Sequence, residues 1–332
     1  MDKQRKQAVI VPKEMGQERI EELKSKNLLD PDRRIRQEGD QLIIPVIKKG
    51  NSIDTSPELR PKRSTPFQKI KKGIELSKEK KKILPRRWEK IGDVLLIKLP
   101  EKLNPHKDEI AKVYANVLNT KTVLLQGNIL GKKREPEVEK IYGESTETVH
   151  IENGVKFKLD TQQLMFSSGN IDERIRMSKS VKKGETVIDM FAGIGYFTLP
   201  MGVHGDPRKI YALEINPTAF SYLKENIALN GIEGTVEPRL GDNRDFSFQG
   251  ADRIIMGYLH ETYKYIPKAL GFLNGSGIIH YHTICKDSGY PGEVKKELEK
   301  SINIGFQIIE MHNIKSYAPH MFHVVADVEI LK

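Results

Sequence analysis

The residues with the clearest chemical meaning lie between Val187 and Gly195, where the chain reads VIDMFAGIG. An apolar run ends at the acidic residue Asp189, and a turn rich in small residues follows it. Glycines in such a turn let the backbone approach a ligand closely, and a helix that opens after it offers free N–H groups. Because the spacing differs from the G-x-G-x-x-G of folds that bind a dinucleotide, the segment predicts a small-molecule site of another kind.

Three later residues, Glu214, Asp242 and Asn243, are expected to contact the same ligand. Glu214 ends the next apolar strand, nineteen residues after Gly195, close to the roughly 20 expected of an acid that binds a ribose. Asp242 and Asn243 follow the third strand, where a polar group reads the amino edge of an adenine. Since the carboxyl ends of parallel strands meet at one edge of a sheet, these residues predict a nucleoside site.

The elements that must position these residues alternate between strand and helix. We expect strands at 186–190, 209–215, 235–240, 252–256 and 277–283, helices at 217–229, near 263–272 and near 293–302, and closing strands at 306–314 and 323–331. This alternation predicts an α/β, Rossmann-type catalytic domain over residues 166–332. Its doubly wound sheet should be mostly parallel, with an antiparallel edge formed by the two closing strands.

Three other segments are expected before that domain. Residues 1–50 predict a small α+β domain with a helix at 14–29 and a strand at 41–47. Proline-rich residues 51–85 predict a basic linker. Residues 86–165 predict a second α+β domain, in which Asn153-Gly154 marks a β-hairpin.

The charge of the chain is concentrated in one place. Its 332 residues carry a net charge of +10, and residues 60–90 hold thirteen Lys and Arg against three Glu. Such a segment is either a solvated linker or a patch that contacts nucleic-acid phosphates.

The one cysteine, Cys285, allows no intrachain disulfide, and no apolar run approaches the roughly 20 residues that span a bilayer. We expect a monomer in the cytoplasm, without membrane association and without a metal.

Three sets of residues carry a family resemblance. They are 166–170 with 173–177, 189–195, and 279–282 with 315–319. Together they resemble the archaeal and eukaryotic family that uses S-adenosylmethionine to modify the purine 3′ to the anticodon of tRNA. One branch methylates guanine N1, whereas the other moves the 3-amino-3-carboxypropyl group onto a tricyclic guanine, the wybutosine precursor. The resemblance covers about residues 85–332. Residues 1–50 look like the small N-terminal domain of the methylating branch, which implies a role in tRNA recognition.

The segment after the fourth strand separates the branches. The methylating branch carries Asn-Leu-Pro or Asn-Pro-Pro there, whereas this chain has Met256-Gly257-Tyr258. Phe166-Ser167 followed by Arg174 also looks like the aminocarboxypropyl branch. The resemblance therefore implies transfer of that group to the precursor base of tRNA(Phe), with release of methylthioadenosine.

The resemblance also implies individual roles. S-adenosylmethionine would be held by Ser167, Arg174, Asp189, Phe191, Glu214, Asp242 and Asn243. Arg174 would bind the methionine carboxylate in a charge-assisted contact that Lys would mimic poorly. Tyr258 would stack on the target base or shield it, and Gly257-Tyr258 would leave room for a rotated methionine tail. Arg174 and Tyr258 are thus the predicted catalytic residues, whereas His260 is either a general base or a surface histidine.

Three other functions stay open at this point. The N-terminal residues favour a guanine-N1 methyltransferase. A non-catalytic RNA-binding protein with a vestigial cofactor fold is disfavoured by the intact acid and glycine positions. A small-molecule methyltransferase would not explain the concentration of positive charge at residues 60–90.

Overall fold

The computed structural model describes residues 7–47, 53–54, 64–130 and 135–331. The chain divides into two compact units, residues 1–68 and 69–332. Within the described ranges, no helix is both long enough and apolar enough to cross a membrane.

The first unit is a small sheet with one helix. Its elements are β1 (Gln7–Pro12), α1 (Gly16–Ser25), β2 (Arg36–Glu38), β3 (Gln41–Val46) and β4 (Ile53–Asp54). The strands are antiparallel in the order β2-β3-β1-β4. Leu23 of α1 packs with Ile44 and Val46 of β3 in the core. The predicted helix ends four residues early, before Asn27 at a φ of 51°, and the predicted strand at 41–47 is confirmed as β3.

The second unit begins with helices and a four-stranded sheet. These are α2 (Pro66–Gly73), which starts just before the boundary, α3 (Lys78–Lys82), β5 (Trp88–Ile91), β6 (Val94–Ile97), α4 (Lys107–Leu118), β7 (Thr122–Leu130) and β8 (Glu135–Tyr142). The strand order is β5-β6-β7-β8. Ile70, Ile74 and Leu84 are buried. The described second half of the predicted linker is therefore folded, because apolar side chains among its lysines fix it to the protein.

The predicted hairpin is present. It consists of β9 (Glu147–Glu152) and β10 (Val155–Asp160), paired in antiparallel register. Asn153 and Gly154 have φ values of 48° and 78°, the left-handed conformations that a two-residue hairpin turn requires.

The remaining elements form the catalytic sheet and its helices. They are α5 (Ile171–Ser180), β11 (Thr186–Asp189), α6 (Thr198–His204), β12 (Lys209–Glu214), α7 (Pro217–Leu229), β13 (Val236–Leu240), β14 (Ala251–Met256), α8 (Ile266–Phe272), β15 (Leu273–Lys286), α9 (Gly292–Ser301), β16 (Phe306–Ala318) and β17 (Met321–Ile330). The strand order is β13-β12-β11-β14-β15-β17-β16. The first five strands run parallel, and β17 and β16 add the antiparallel edge. The predicted α/β fold with a mostly parallel sheet is confirmed.

Two apolar clusters pack against this sheet. Val187 and Ile255 belong to one cluster, and their chain neighbours Ile188, Ile254 and Met256 belong to the other. Because successive side chains of a strand point to opposite faces, the clusters lie on the two faces of the sheet. The strand order reverses between β11 and β14, which creates a crevice at their carboxyl ends.

Candidate active site

A cavity of about 520 Å³ opens beside these strand ends, a volume that suits a small-molecule ligand. It is lined by Ser167, Arg174, Phe191, Glu214, Asp242, Asn243, Tyr258 and His260, together with residues not predicted from the sequence. The fold therefore brings the sequence-predicted site residues together, with the exception of Asp189.

Asp189 lies beneath the glycine turn and does not line the cavity. Its side chain is fully buried. It accepts hydrogen bonds from Thr198 Oγ1 at 2.7 Å and from the backbone N–H of Phe191 at 3.2 Å. Burial raises the pKa of Asp189 to about 6, although both hydrogen bonds oppose that shift. Asp189 therefore fixes the conformation of the glycine turn through these hydrogen bonds, and Phe191, two residues later, lines the cavity.

Glu214 is fixed at the cavity wall by backbone groups. Its carboxylate accepts hydrogen bonds from the N–H groups of Gly193 and Asn216, each at 2.7 Å. Burial raises the pKa of Glu214, and the two backbone donors oppose that shift. A carboxylate has about four acceptor sites, so two remain for the hydroxyl groups of a ligand.

Asp242 and Asn243 differ in the atoms that they keep available for binding a ligand. Asp242 forms an ion pair with Arg244 at 2.5 Å, which holds the pKa of Asp242 below its usual range. Asn243 donates through Nδ2 to the carbonyl of Met190 at 3.0 Å. Its Oδ1 is buried and has no hydrogen-bond partner among the described residues. This oxygen is thus an acceptor ready for a ligand N–H.

Arg174 is already engaged with a carboxylate. Its guanidinium donates to both oxygens of Glu152 at 2.6 Å and to the carbonyl of Ser167 at 3.0 Å. The Ser167 hydroxyl accepts a hydrogen bond from Lys315 of β16 at 2.5 Å. Glu152 therefore balances the charge of Arg174, and any contact with a methionine carboxylate depends on the N–H groups that remain.

Aromatic rings cover another wall of the cavity. Tyr258 stacks on Phe191 with ring centroids 5.1 Å apart, and Tyr265 meets Phe191 edge-on at 5.0 Å. Burial raises the pKa of the Tyr258 phenol, so it stays protonated at neutral pH. His260 is exposed, and its Nε2 lies 3.3 Å from the hydroxyl of Tyr317. A planar base can stack on such a surface.

The structure changes the reason for glycine at position 257. A Cβ added there would lie 2.9 Å from Cε2 of Phe197. The space released by the missing side chain is therefore filled by the Phe197 ring. Any room for a rotated methionine tail adjoins Phe197 and does not lie at the Gly257 Cβ itself.

Sequence reasoning missed a pair of histidines in the cavity lining. His282 of β15 and His323 of β17 are each 1% exposed, and His282 Nδ1 lies 3.0 Å from His323 Nε2. Both sit in apolar runs, where a histidine is ordinarily a core residue. Only the antiparallel pairing of β15 with β17 brings them together. Asn170 is a second missed residue, with a buried Oδ1 that has no partner in the described part of the chain.

Comparison with known proteins decides the family. The model of the TRM5/TYW2 methyltransferase domain matches residues 148–308. An aminocarboxypropyltransferase of Pyrococcus horikoshii, which acts on C7 of 4-demethylwyosine 37 in tRNA(Phe), is 46% identical over 262 residues. The alignment covers 78% of this chain and 94% of the relative. The chain belongs to the TRM5/TYW2 family.

Both branches of the family are represented among the matches. The TYW2 N-terminal domain matches residues 70–146, whereas the tRNA methyltransferase 5 N-terminal domain matches residues 8–54. The tRNA (guanine(37)-N(1))-methyltransferase Trm5b of Pyrococcus abyssi is 32% identical over 332 residues, covering 97% of this chain and 98% of the relative. The first unit thus matches one branch, and the segment that follows it matches the other.

Two solved structures show family members with nucleoside ligands. The Pyrococcus horikoshii TYW2 complex with MeSAdo is 43% identical, has a TM-score of 0.73, and covers 80% of this chain and 99% of that chain. The Methanocaldococcus jannaschii TYW2 complex with AdoMet is 38% identical, with a TM-score of 0.59 and coverage of 74% and 100%.

Proposed function

We propose that this protein transfers the 3-amino-3-carboxypropyl group of S-adenosylmethionine to C7 of 4-demethylwyosine 37 in tRNA(Phe). Methylthioadenosine is the second product. The reaction contributes to wybutosine synthesis, and the enzyme acts in the cytoplasm as a monomer.

The observation that carries the proposal is the cavity wall after β14. Gly257, Tyr258 and Leu259 line the cavity there, and none of them bears an amide or a carboxylate. An enzyme that methylates a guanine nitrogen needs a polar group to orient that nitrogen, whereas a carbon nucleophile makes no hydrogen bond. An apolar, aromatic wall that stacks on the base therefore favours transfer to carbon.

The residues present fit S-adenosylmethionine at both ends of the donor. Asn243 Oδ1 and Asn170 Oδ1 are buried acceptors without partners among the described residues, and leaving such groups unpaired is costly. The adenine amino group would satisfy Asn243, and the α-ammonium group would satisfy Asn170. Glu214 would bind the ribose hydroxyls, as its two remaining acceptor sites allow.

The choice of transferred group follows from alignment. The sulfonium of the donor has three carbons open to attack, and the carbon that lies in line with the nucleophile reacts. We infer that Phe197 and Tyr258 border the space in which the methionine tail turns its γ-carbon toward the base. Arg174 and Lys315 would hold the Ser167 loop that carries the far end of the tail.

A double-label experiment tests this function. S-adenosylmethionine is labelled in separate samples at the methyl group and at the methionine carboxyl carbon, and each is incubated with precursor tRNA(Phe). We expect the carboxyl label in tRNA and the methyl label in methylthioadenosine. Methyl label in tRNA, with S-adenosylhomocysteine as the product, would contradict the proposal.

The second candidate is guanine-N1 methylation at the same position. It is favoured by the tRNA methyltransferase 5 N-terminal domain match at residues 8–54. The same labelled donors, offered with tRNA that carries unmodified guanine 37, separate the two activities. A vestigial fold would bind no donor, which calorimetric titration measures directly.

A further inference from the structure

We propose that His282 accepts the proton that C7 of the target base loses during transfer. The inference rests on the proposed function, because an aromatic carbon that gains a substituent must lose its hydrogen. It assigns a catalytic role to a buried histidine that the sequence analysis did not single out.

His282 lies at the cavity floor next to the segment after β14. It lines the cavity, and its ring centroid is 5.0 Å from that of Phe197. Phe197 in turn fills the space beside Gly257. The Nδ1 atom of His282 is paired with His323, whereas Nε2 is buried and has no hydrogen-bond partner within the described residues.

The other groups around the cavity are poorly suited to take this proton. Glu214 is held by two backbone donors, and Asp242 is paired with Arg244. Tyr258 stays protonated. His260 is exposed at the rim beside Tyr317, where water competes for its nitrogen.

The surroundings of His282 keep it ready to accept a proton. Burial holds its pKa well below the usual value, and the neighbouring histidines His323 and His280 and the cation Arg176 lower it further, while Asp327 raises it. The ring is therefore neutral at physiological pH, and we assign the tautomer in which Nδ1–H donates to His323 Nε2, which leaves the lone pair on Nε2 of His282. Once protonated, it would lie 4.0 Å from Oε1 of Glu173, which would partly balance the new charge.

Glu173 is itself fixed in place by a buried network. Arg176 donates to both oxygens of Glu173 at 2.8 Å and to Asp327 at 2.5 Å. Asp327 lies 2.6 Å from His280 Nδ1, and Arg253 lies 2.6 Å from His280 Nε2. Because a guanidinium can only donate, His280 Nε2 must accept and Nδ1 must carry the hydrogen. His280 is thus fully engaged, and His323 uses its Nε2 in the contact with His282 Nδ1, so we assign the proton to Nε2 of His282.

The step balances as an aromatic substitution. A π-electron pair at C7 forms a bond to the γ-carbon of the donor, and the γ-carbon–sulfur bond breaks with its electron pair on sulfur, which gives neutral methylthioadenosine. The base then carries a positive charge and a tetrahedral C7. The C7–H electron pair restores the aromatic ring as the proton moves to His282. Such a cationic ring is a strong acid, so a weakly basic imidazole suffices.

The test uses tRNA whose precursor base carries hydrogen or deuterium at C7, in single-turnover reactions with the full-length enzyme. For His282→Gln we expect a rate about 100-fold lower, as general bases typically contribute, and a slower reaction with deuterium than with hydrogen. The unchanged enzyme should show no isotope effect, because carbon–carbon bond formation limits its rate. His204→Gln, at an exposed histidine, is the matched control and should behave like the unchanged enzyme.

Two results would overturn the assignment. One is an unchanged rate for His282→Gln, and the other is a lower rate that is equal for both isotopes, which would indicate a structural role. Donor affinity and thermal unfolding are measured alongside, and His282→Asn serves as the second variant if the first does not fold.

The double label is followed in the same reactions. If carboxyl label enters tRNA in the unchanged enzyme while His282→Gln shows no isotope effect, this inference alone fails. Methyl label in tRNA means that the proposed function has failed.

Discussion

At the scale of single residues, the polar side chains of the cavity fall into two groups. Some are hydrogen-bonded to other protein groups, and others keep an acceptor atom that has no protein partner among the described residues. Glu214 and Arg174 face the cavity but are held by protein partners. Asn170 and Asn243 present buried oxygens that lack protein partners in the described ranges. Since a buried acceptor without a partner destabilises a fold by about 1–3 kcal/mol, these two amides mark where a ligand restores the missing hydrogen bonds.

The glycine at position 257 leads to a prediction about packing. A Cβ at this position would meet Phe197 at 2.9 Å and 3.1 Å, so Gly257→Ala should force the ring toward His282. We expect a destabilisation of about 1–3 kcal/mol, typical of overpacking, and a lower transfer rate. Chemical denaturation and single-turnover assays measure both effects.

Gly271→Ala provides the matched control for that variant. Gly271 lies in α8, and no atom comes within 4 Å of a Cβ added there. This change should stabilise the protein by about 0.5–1 kcal/mol, because alanine favours the helix. A second test is Gly257→Ala combined with Phe197→Leu, which should recover part of the lost stability. Equal stability of Gly257→Ala and the unchanged protein would refute the packing argument.

At the scale of elements, the strand–helix alternation was sufficient to predict the catalytic sheet. The helix predicted at 217–229 coincides with α7, and the five parallel strands lie where the apolar runs place them. Local patterns identify the central strands because β11 and β14 are buried along nearly their whole length. The glycine turn after β11 and the acid Glu214 at the end of β12 were predicted for the same reason, since each lies within a single strand–turn unit.

The parts that were not predicted depend on contacts between distant segments. A helix after the glycine turn was expected, but its bounds were not, because α6 is only seven residues long and its first four residues are buried. His282 and His323 lie 41 residues apart in the sequence. The pairing of Arg174 with Glu152 across 22 residues is likewise a contact that the sequence does not reveal. No spacing rule anticipates such contacts.

The turn after β11 leads to a prediction about pH. The pKa of Asp189 is about 6 in the folded protein, against about 3.9 in an unfolded chain. Between these values the folded state binds more protons, so the contribution of Asp189 to the free energy of unfolding decreases as pH rises from 4 to 6. Asp189→Asn should therefore gain stability relative to the unchanged protein over that range, by at most about 3 kcal/mol.

Denaturation at pH 4.5, 5.5 and 7.5 measures this difference. Asp327→Asn is the opposite control, because Arg176 and His280 hold the pKa of Asp327 well below its usual range despite burial. The stabilising effect of Asp327 is present above about pH 4 and is lost only at lower pH, so between pH 4.5 and 7.5 that variant should differ from the unchanged protein by a nearly constant amount. A constant difference between Asp189→Asn and the unchanged protein would show that Asp189 has an ordinary pKa.

At the scale of the whole molecule, the chain joins parts found in different branches of the family. Residues 8–54 match the N-terminal domain of tRNA methyltransferase 5, and residues 70–146 match that of TYW2. At residues 257–259, the cavity wall after β14 nevertheless bears no amide or carboxylate side chain. The described residues that line the cavity all belong to the second unit.

The folded basic segment leads to a prediction about salt. Helices α2 and α3 expose Lys69, Lys72 and Lys78, and Ile70 and Ile74 anchor the segment to the second unit. If these lysines neutralise tRNA phosphates, binding releases counterions and weakens steeply with salt. The triple change to Gln should reduce the slope of log K against log salt concentration by about 0.7–0.9 for each phosphate that is no longer neutralised.

Filter binding of tRNA between 50 and 300 mM salt (about the range in which such slopes are measured) gives this slope. The matched control replaces the exposed lysines of α9, Lys295, Lys296 and Lys300, with Gln. Both triple variants lose the same total charge, so a general effect of net charge would change the two slopes equally. A smaller slope for the α2–α3 variant alone would locate the phosphate-binding lysines on the basic segment. Equal slopes for that variant and the unchanged protein would mean that the segment is a solvated surface, and that the excess charge of the chain serves solubility.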